Sequence, residues 1–370
     1  MKRIVVLCDG TWNSPDIEDT THLPELAVAL DTSDVQVVKY FSGVGTDDGR
    51  YASWIGRGVN RVLGGALGSG LAEKVKAAYA AIAEIYEPDD EIYLFGFSRG
   101  AFTARSVAGM IRKCGIVDDT SPRGIRKAFR LYRAPGEGNA PDAPGILERR
   151  TALSTRFATS QVDRDARPAP VPIVKIAYVG VWDTVGARGI PTALFGAIAA
   201  FYNRQYEFHD MVLSSSVRAA RHAVAADEKR KFYVPTLWEN TDRLNREVDP
   251  TGATTPYEQR WFVGDHGIVG GSAKIDALSV LPKAWVAAGA PDLTWRDGMA
   301  VTDAGADHTA SSDRLSDPGG FYRIASNLLE WRKDPHEVTT LHDSCAARLR
   351  EVETYRPTSL QRFFAALGLG

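Results

Sequence analysis

The pentapeptide Gly96-Phe97-Ser98-Arg99-Gly100 sits between two segments of different periodicity. Residues 91–97 form an apolar run that ends in it, and residues 101–113 follow with apolar side chains at helical spacing. A continuous apolar run bounded by turn residues fits a strand buried on both faces of a sheet. When such a strand turns at once into a helix, side chains two positions either side of the apex would collide with the neighbouring strand and helix. Glycines at 96 and 100 remove that collision. The spacing therefore predicts strand, sharp turn and helix as one unit, with the Ser98 hydroxyl held above the sheet. A helix start there also favours developing negative charge. The plain alternative is a tight turn without chemistry, which the flanking strand and helix disfavour.

The rest of the chain repeats this alternation. Further strands are expected at 3–8, 35–41, 174–182 and 259–263. Helices are expected at 71–85, 123–132, 209–226 and 275–288, with weaker ones at 322–331 and 343–355. In the first of these, Leu71, Val75, Ala78, Ile82 and Ile85 share one face. Strands alternating with helices predict an α/β fold, a mostly parallel sheet with helices on both faces, whose sites lie at the carboxyl ends of strands. Residues 1–290 read as one catalytic domain and 291–370 as a helical extension packed on it. Residues 134–172 carry six prolines and read as an insertion, part of a cap over the site or a mobile loop. Residues 187–206, rich in Ala, Gly, Ile, Leu and Phe, read as a lid or, equally, a buried helix.

Composition excludes several classes. A formal net charge of −2 with scattered Lys and Arg gives no basic stripe for a nucleic-acid backbone to follow. Three widely spaced cysteines exclude a disulfide framework and a CxxC metal pair, and suit a reducing compartment. The apolar run at the amino terminus stops at Asp9, too early for a signal peptide. Residues 192–202 are a candidate for membrane-surface contact but too short to span a bilayer. The chain is expected to be made in the cytoplasm, with export independent of a signal peptide left open.

A serine nucleophile needs a general base, most often a neutral histidine. Seven are present. His266 lies in a glycine-rich stretch after a strand and before a helix, where a ring can reach across to Ser98. His209 and His222 fall on an expected helix and are read as caps or packing. His308, His336 and His342 lie in the less regular tail, and His22 precedes the serine. Asp183 follows the strand ending at Trp182, where a carboxylate can accept from imidazole Nδ1–H and fix its tautomer. Asp265, adjacent to His266, diverges from it in an extended loop and is a poor orienter. The turn aims the Arg99 N–H at an oxyanion, and the Asp9-Gly10-Thr11 loop offers a second donor, the N–H of Gly10 or Thr11, with Asp9 as a brace.

Several motifs in order then resemble one family: Asp9-Gly10-Thr11-Trp12-Asn13, Gly43-Val44-Gly45-Thr46, the stretch from Tyr93 to Phe102, the stretch from Gly180 to Gly186, Ala220-Arg221-His222-Ala223, Trp261-Phe262-Val263-Gly264 and the stretch from His266 to Gly271. It is the widespread bacterial and fungal α/β-hydrolase domain, long of unknown function, that forms the catalytic part of one class of type VI secretion phospholipase effectors. The resemblance spans about residues 4–288. It implies an α/β-hydrolase-like fold with cap or loop insertions, a triad of Ser98, Asp183 and His266, and no metal or organic cofactor. It also implies carboxyl-ester hydrolysis, with phospholipids as the substrates of characterised members. Two departures stand out. The family loop usually reads His-Ser-Asp-Val-Gly-Gly, and here its acidic position is Ile268. The long extra module of the large effectors is also not expected within these 370 residues. The partner expected is thus a small-molecule or lipid ester.

Competing readings are weaker. Aspartyl phosphatases carry a second acid two residues after the first, where this chain has Thr11. The stretch from Gly64 to Gly70 follows no strand and lacks the Gly-Lys-Ser/Thr ending of a phosphate loop. A non-catalytic or weakly active binding protein on the same fold is the alternative from another class, kept in view by Ile268.

Overall fold

The structure, a computed structural model, describes residues 1–10, 21–43, 66–134, 136–185, 212–230, 233–272, 275–311, 332 and 340–369. The expected lid at 187–206, the expected helix at 322–331, Thr11 and His209 lie outside these residues.

Seven strands form one sheet in the order β2-β1-β3-β4-β5-β6-β7. They are β1 (Arg3–Cys8), β2 (Gln36–Phe41), β3 (Glu91–Phe97), β4 (Lys175–Trp182), β5 (Val217–Ala225), β6 (Tyr257–Phe262) and β7 (Thr340–Leu341). Every neighbouring pair is parallel. The chain steps outward from β1 to β2, then returns to β3 on the other side of β1. That reversal is the topological switch point, where the carboxyl ends of strands leave a crevice.

Helices cover both faces. On one, α2 (Ala66–Ile85) and α3 (Arg99–Cys114) pack Val75, Tyr79, Ile82, Val107 and Ile111 over Ile4, Val6, Leu94, Val179 and Val181. On the other, α1 (His22–Ala29) covers Val5, Leu7, Tyr93, Phe95, Phe97 and Trp182 through Leu23 and Leu26. Alternate residues of one strand thus serve two cores, as a doubly covered parallel sheet requires.

Three expectations are corrected. The segment expected as a helix at 209–226 carries β5, paired on both sides between β4 and β6. Its run Val217-Arg218-Ala219-Ala220-Arg221-His222 has strong helix formers, but the sheet offers both faces for burial, and tertiary packing overrides propensity. The 134–172 insertion is neither a cap nor a bare loop. After α4 (Pro122–Tyr132) it forms α5 (Pro144–Leu153) and α6 (Gln161–Asp165). Arg150, fully buried, donates from Nε to the Lys113 carbonyl at 3.1 Å and pairs with Asp163 at 3.2 Å. Arg112 reaches Asp142 at 2.6 Å. These anchors lie on the last turn of α3, about 20 Å along the helix from Ser98 by its rise. Finally, residues 291–370, expected as a helical extension, also contribute a strand to the sheet. β7 adds to β6, and α7 (Thr241–Val248) precedes that pair. Cys345 and Leu349 of the carboxyl-terminal helix α10 (Asp343–Glu351) join Leu360 in an apolar cluster with Val224, Trp261, Val263 and Ile268.

Candidate active site

The nucleophile turn is built as strained as its glycines imply. Ser98 has φ 55° and ψ −121°, and it caps α3. A β-carbon on Gly96 would lie 2.4 Å from the Gly100 carbonyl oxygen. One on Gly100 would lie 2.1 Å from the Cys8 carbonyl oxygen and 2.5 Å from that of Asp9. The end of β1 is therefore pressed against the start of α3, and Ser98 opens onto the switch point. Its N–H donates to the Trp182 carbonyl at 3.1 Å, tying the turn to the end of β4.

Asp183 follows β4 and is one of three non-glycine residues with positive φ among the described residues, at 37°. Such backbones cost about 1–3 kcal/mol and persist where the surroundings over-determine them. Here the Asp183 N–H donates to the Ala223 carbonyl at 2.8 Å, and Oδ1 accepts from Ala225 N–H at 3.0 Å.

His266 was expected in a loop; it is the first residue of a short helix, α8 (His266–Gly270), that precedes α9 (Asp276–Ala287). Asp265 is the cap, its Oδ1 accepting from Ile268 N–H at 2.9 Å. The His266 N–H donates to Glu228 Oε2 at 3.2 Å. The ring stands between Phe97 and Tyr233, with centroids 4.6 Å away on each side. So held, Nε2 lies 2.8 Å from Ser98 Oγ and Nδ1 lies 2.5 Å from Asp183 Oδ2. Ser98 and His266 are each 6% exposed and Asp183 is fully buried, so a reaction there is largely shielded from water. The three side chains come from residues 83 and 168 apart. With Nδ1 facing a carboxylate, the proton sits on Nδ1 and Nε2 is left to accept from the serine hydroxyl.

Burial alone would raise the Asp183 carboxyl, but the Arg332 guanidinium and the His266 hydrogen bond hold it well below the usual carboxylate range. Arg332 was not singled out from sequence. It lies 149 residues beyond Asp183 in a stretch with no motif, and no local signal could have flagged it. Tyr233 and Glu228 were missed likewise, since their roles depend on where β5 ends.

The Arg99 N–H opens α3 and, as a first-turn donor, has no partner within the helix. The Gly10 N–H donates to Asp9 Oδ1 at 2.7 Å and is thereby engaged. Asp9 acts as the expected brace, also accepting from Thr21 Oγ1 at 2.8 Å and Tyr40 OH at 2.7 Å. Ile268, at the family's acidic position, is fully buried in the cluster that the carboxyl-terminal residues close, so apolar packing occupies that place. Among the described residues no group of three His, Cys, Asp or Glu is placed to hold a metal ion. No helix among them is long and apolar enough to cross a membrane.

His222 belongs to the scaffold of the acid loop, from β5 and not from a helix. Its Nε2 accepts from Thr184 N–H at 3.1 Å and its Nδ1 faces Gln259 Oε1 at 3.2 Å. Burial, assisted by Arg105, pushes it down to about 3. A histidine held neutral when folded but free to protonate when unfolded loses stability as pH falls below about 6.5. At its upper bound the loss is about 4 kcal/mol by the time the folded group titrates. In His222→Gln, which keeps an acceptor toward Thr184, the decline in thermal midpoint between pH 7 and 4.5 should be shallower than in the parent. Equal slopes would rule out a neutral His222. The buried carboxyl of Asp227, pushed up to about 6, works in the opposite sense, which is why the comparison is differential.

The family model for the type VI secretion phospholipase effector Tle1-like catalytic domain matches residues 2–289. The chain is 28% identical over 258 residues to an uncharacterized protein of Saccharomyces cerevisiae, covering 65% of this chain and 34% of that protein. Among solved structures, the Tle1 effector bound to the VgrG spike of the type 6 secretion system is 13% identical with a TM-score of 0.40. That match covers 73% of this chain and 51% of the effector. An uncharacterized protein from Pseudomonas aeruginosa is 15% identical with a TM-score of 0.39, covering 76% of this chain and 44% of its own. The chain thus spans about a third of its curated relative and about half of each structure.

Proposed function

The chain belongs to the family of Tle1-like phospholipase effector catalytic domains, and from that premise we propose that it is a serine esterase acting on lipid or phospholipid esters. The observation that carries this reading is the continuous hydrogen-bonded line from Asp183 through His266 to Ser98. Ser98 Oγ attacks the ester carbonyl while His266 Nε2 takes its proton. Asp183 holds the imidazole in the Nδ1–H tautomer and stabilises the imidazolium. The tetrahedral oxyanion is received by the Arg99 N–H, with the second donor being the N–H of Gly10 or Thr11. Because Gly10 N–H is turned to Asp9, the Thr11 N–H is the better candidate for that second place. His266 then protonates the leaving alcohol, activates water against the acyl-enzyme, and returns Ser98 to its starting state. No step calls on a metal or organic cofactor.

A fluorophosphonate probe should label the chain at Ser98 and fail to label Ser98→Ala. Phosphatidylcholine and phosphatidylglycerol vesicles should release fatty acid with the parent and none with Ser98→Ala. A chain that neither labels nor cleaves either vesicle type nor short p-nitrophenyl esters would instead be a binding protein on this fold.

A further inference from the structure

Arg332 lies outside the 2–289 stretch that the family model matches, yet it is the buried cation on the acid of the triad. Its Nη1 donates to Asp183 Oδ1 at 2.6 Å and its Nη2 to Oδ2 at 2.8 Å. The same two nitrogens are held by backbone carbonyls: Nη1 donates to Ala225 at 2.9 Å, and Nη2 donates to Tyr233. A planar fork gripping both carboxylate oxygens leaves the group little freedom to rotate. Asp183 Oδ2 is therefore fixed where it meets His266 Nδ1, and it is shared between the imidazole and the guanidinium. We propose that Arg332 is a positioning residue of this site, fixing the Asp183 carboxylate for His266, so that the segment beyond the family-matched region forms part of the catalytic machinery.

Two further contacts tie that segment to the same place. Tyr355 OH donates to Asp227 Oδ1 at 2.8 Å, and Ser359 Oγ donates to the Ala226 carbonyl at 2.6 Å. Ala226 and Asp227 lead directly to Glu228, which accepts the His266 N–H. The carboxyl-terminal residues thus brace the acid through Arg332 and the base through the turn after β5.

The charges around the pair fix the sign of the effect. Asp183, Glu228 and Asp265 all interact electrostatically with His266; the first two are held below the usual carboxylate range by their cations, while burial raises Asp265. Glu228 is already paired with Arg230, whose guanidinium also stacks on Tyr233 with its carbon 4.1 Å from the ring centroid. His222, kept neutral by burial and by Arg105, also senses the Asp183 charge. Arg332 is the cation in contact with the acid itself. Without it, Asp183 would present its full charge to the imidazole, the imidazolium would be favoured, and the acidic limb of the kcat/KM profile would move to higher pH.

The inference rests on the Ser98–His266–Asp183 reading, which Ser98→Ala tests by itself, whatever the Arg332 variants do. In the full chain, Arg332→Gln should lower kcat on a p-nitrophenyl ester by about ten-fold or more, with KM nearly unchanged. Its acidic limb should lie at higher pH than that of the parent. Arg332→Lys keeps the charge but not the fork. It should restore the position of the limb and part of kcat. NMR titration of the His266 ring in the substrate-free protein should show the same ordering of the three forms. Parental kcat and limb in Arg332→Gln would overturn the proposal. So would equal losses in the Gln and Lys variants that track a falling melting temperature with an unmoved limb, because that pattern marks a strut with no part in positioning.

Discussion

Ser98→Ala is expected to lower kcat/KM on an activated ester by about 10⁴-fold or more, and His266→Ala by a similar factor. The two should not add. In the proposed mechanism nucleophile and base act as one unit, joined by the 2.8 Å contact between Oγ and Nε2, so removing either forfeits the same transition state. The double variant should therefore fall little below either single one. What persists is expected from the oxyanion donors alone, because the backbone N–H groups are untouched. Both variants should fold, since Ser98→Ala removes one oxygen and leaves the strained backbone in place. Steady-state kinetics of the parent, the two single variants and the double variant provide the measurement. A double variant whose loss equals the product of the two single losses would show that the residues work independently, and the triad mechanism would fail.

The second large effect concerns the scaffold. Gly100→Ala should destabilise the fold by about 3 kcal/mol or more, or prevent its formation, with activity lost in parallel. The β-carbon would fall 2.1 Å from the Cys8 carbonyl oxygen and 2.6 Å from the Asp9 carbonyl carbon. Those are backbone atoms at the carboxyl end of β1, which cannot retreat without breaking its parallel pairing to β2 and β3. Asp9 N–H is held by the Phe41 carbonyl at 2.9 Å, so the strand end is tied as well. Gly145→Ala is the control. It lies exposed on α5 with nothing within 4 Å of an added β-carbon, and helix propensity predicts a neutral effect or a gain of up to about 1 kcal/mol. Urea midpoints of the two variants, read with the slope unchanged, give the comparison directly. If Gly100→Ala matched the control, the close approach of β1 to α3 would be refuted.

The two effects have different origins. One is the loss of a chemical group, and the other is the loss of the space that lets the group exist. The φ of 55° lifts Ser98 Oγ above the sheet, where the proposed reaction needs it, and that angle survives only because neither Gly96 nor Gly100 has a side chain.

Much of this was legible from residue order. Strand, turn and helix around Ser98 follow from local physics, because a short apolar run, two glycines and a 3.6-residue period each restrict the backbone independently. β1 and β4 could be read for the same reason, as apolar runs that a doubly covered sheet demands, and β2 from a shorter apolar pattern interrupted by Lys39. Asp183 and His266 could be nominated because each follows a strand end, and the structure brings both to Ser98.

Other features were decided by the tertiary structure. Residues 217–225 have the composition of a helix, yet they lie as β5 because β4 and β6 offer hydrogen bonds on both edges. Proline-rich 134–172 could suggest a flexible cap, but buried pairs such as Arg150–Asp163 place it at the far end of α3. Arg332 carries no pattern at all. Its role arises when a distant segment delivers a guanidinium to a buried carboxylate, a pairing that exists only after folding removes both from water. Local sequence dictates backbone shape because its constraints act within a few residues, whereas charge partners across the core are chosen by the packing of elements far apart in the chain.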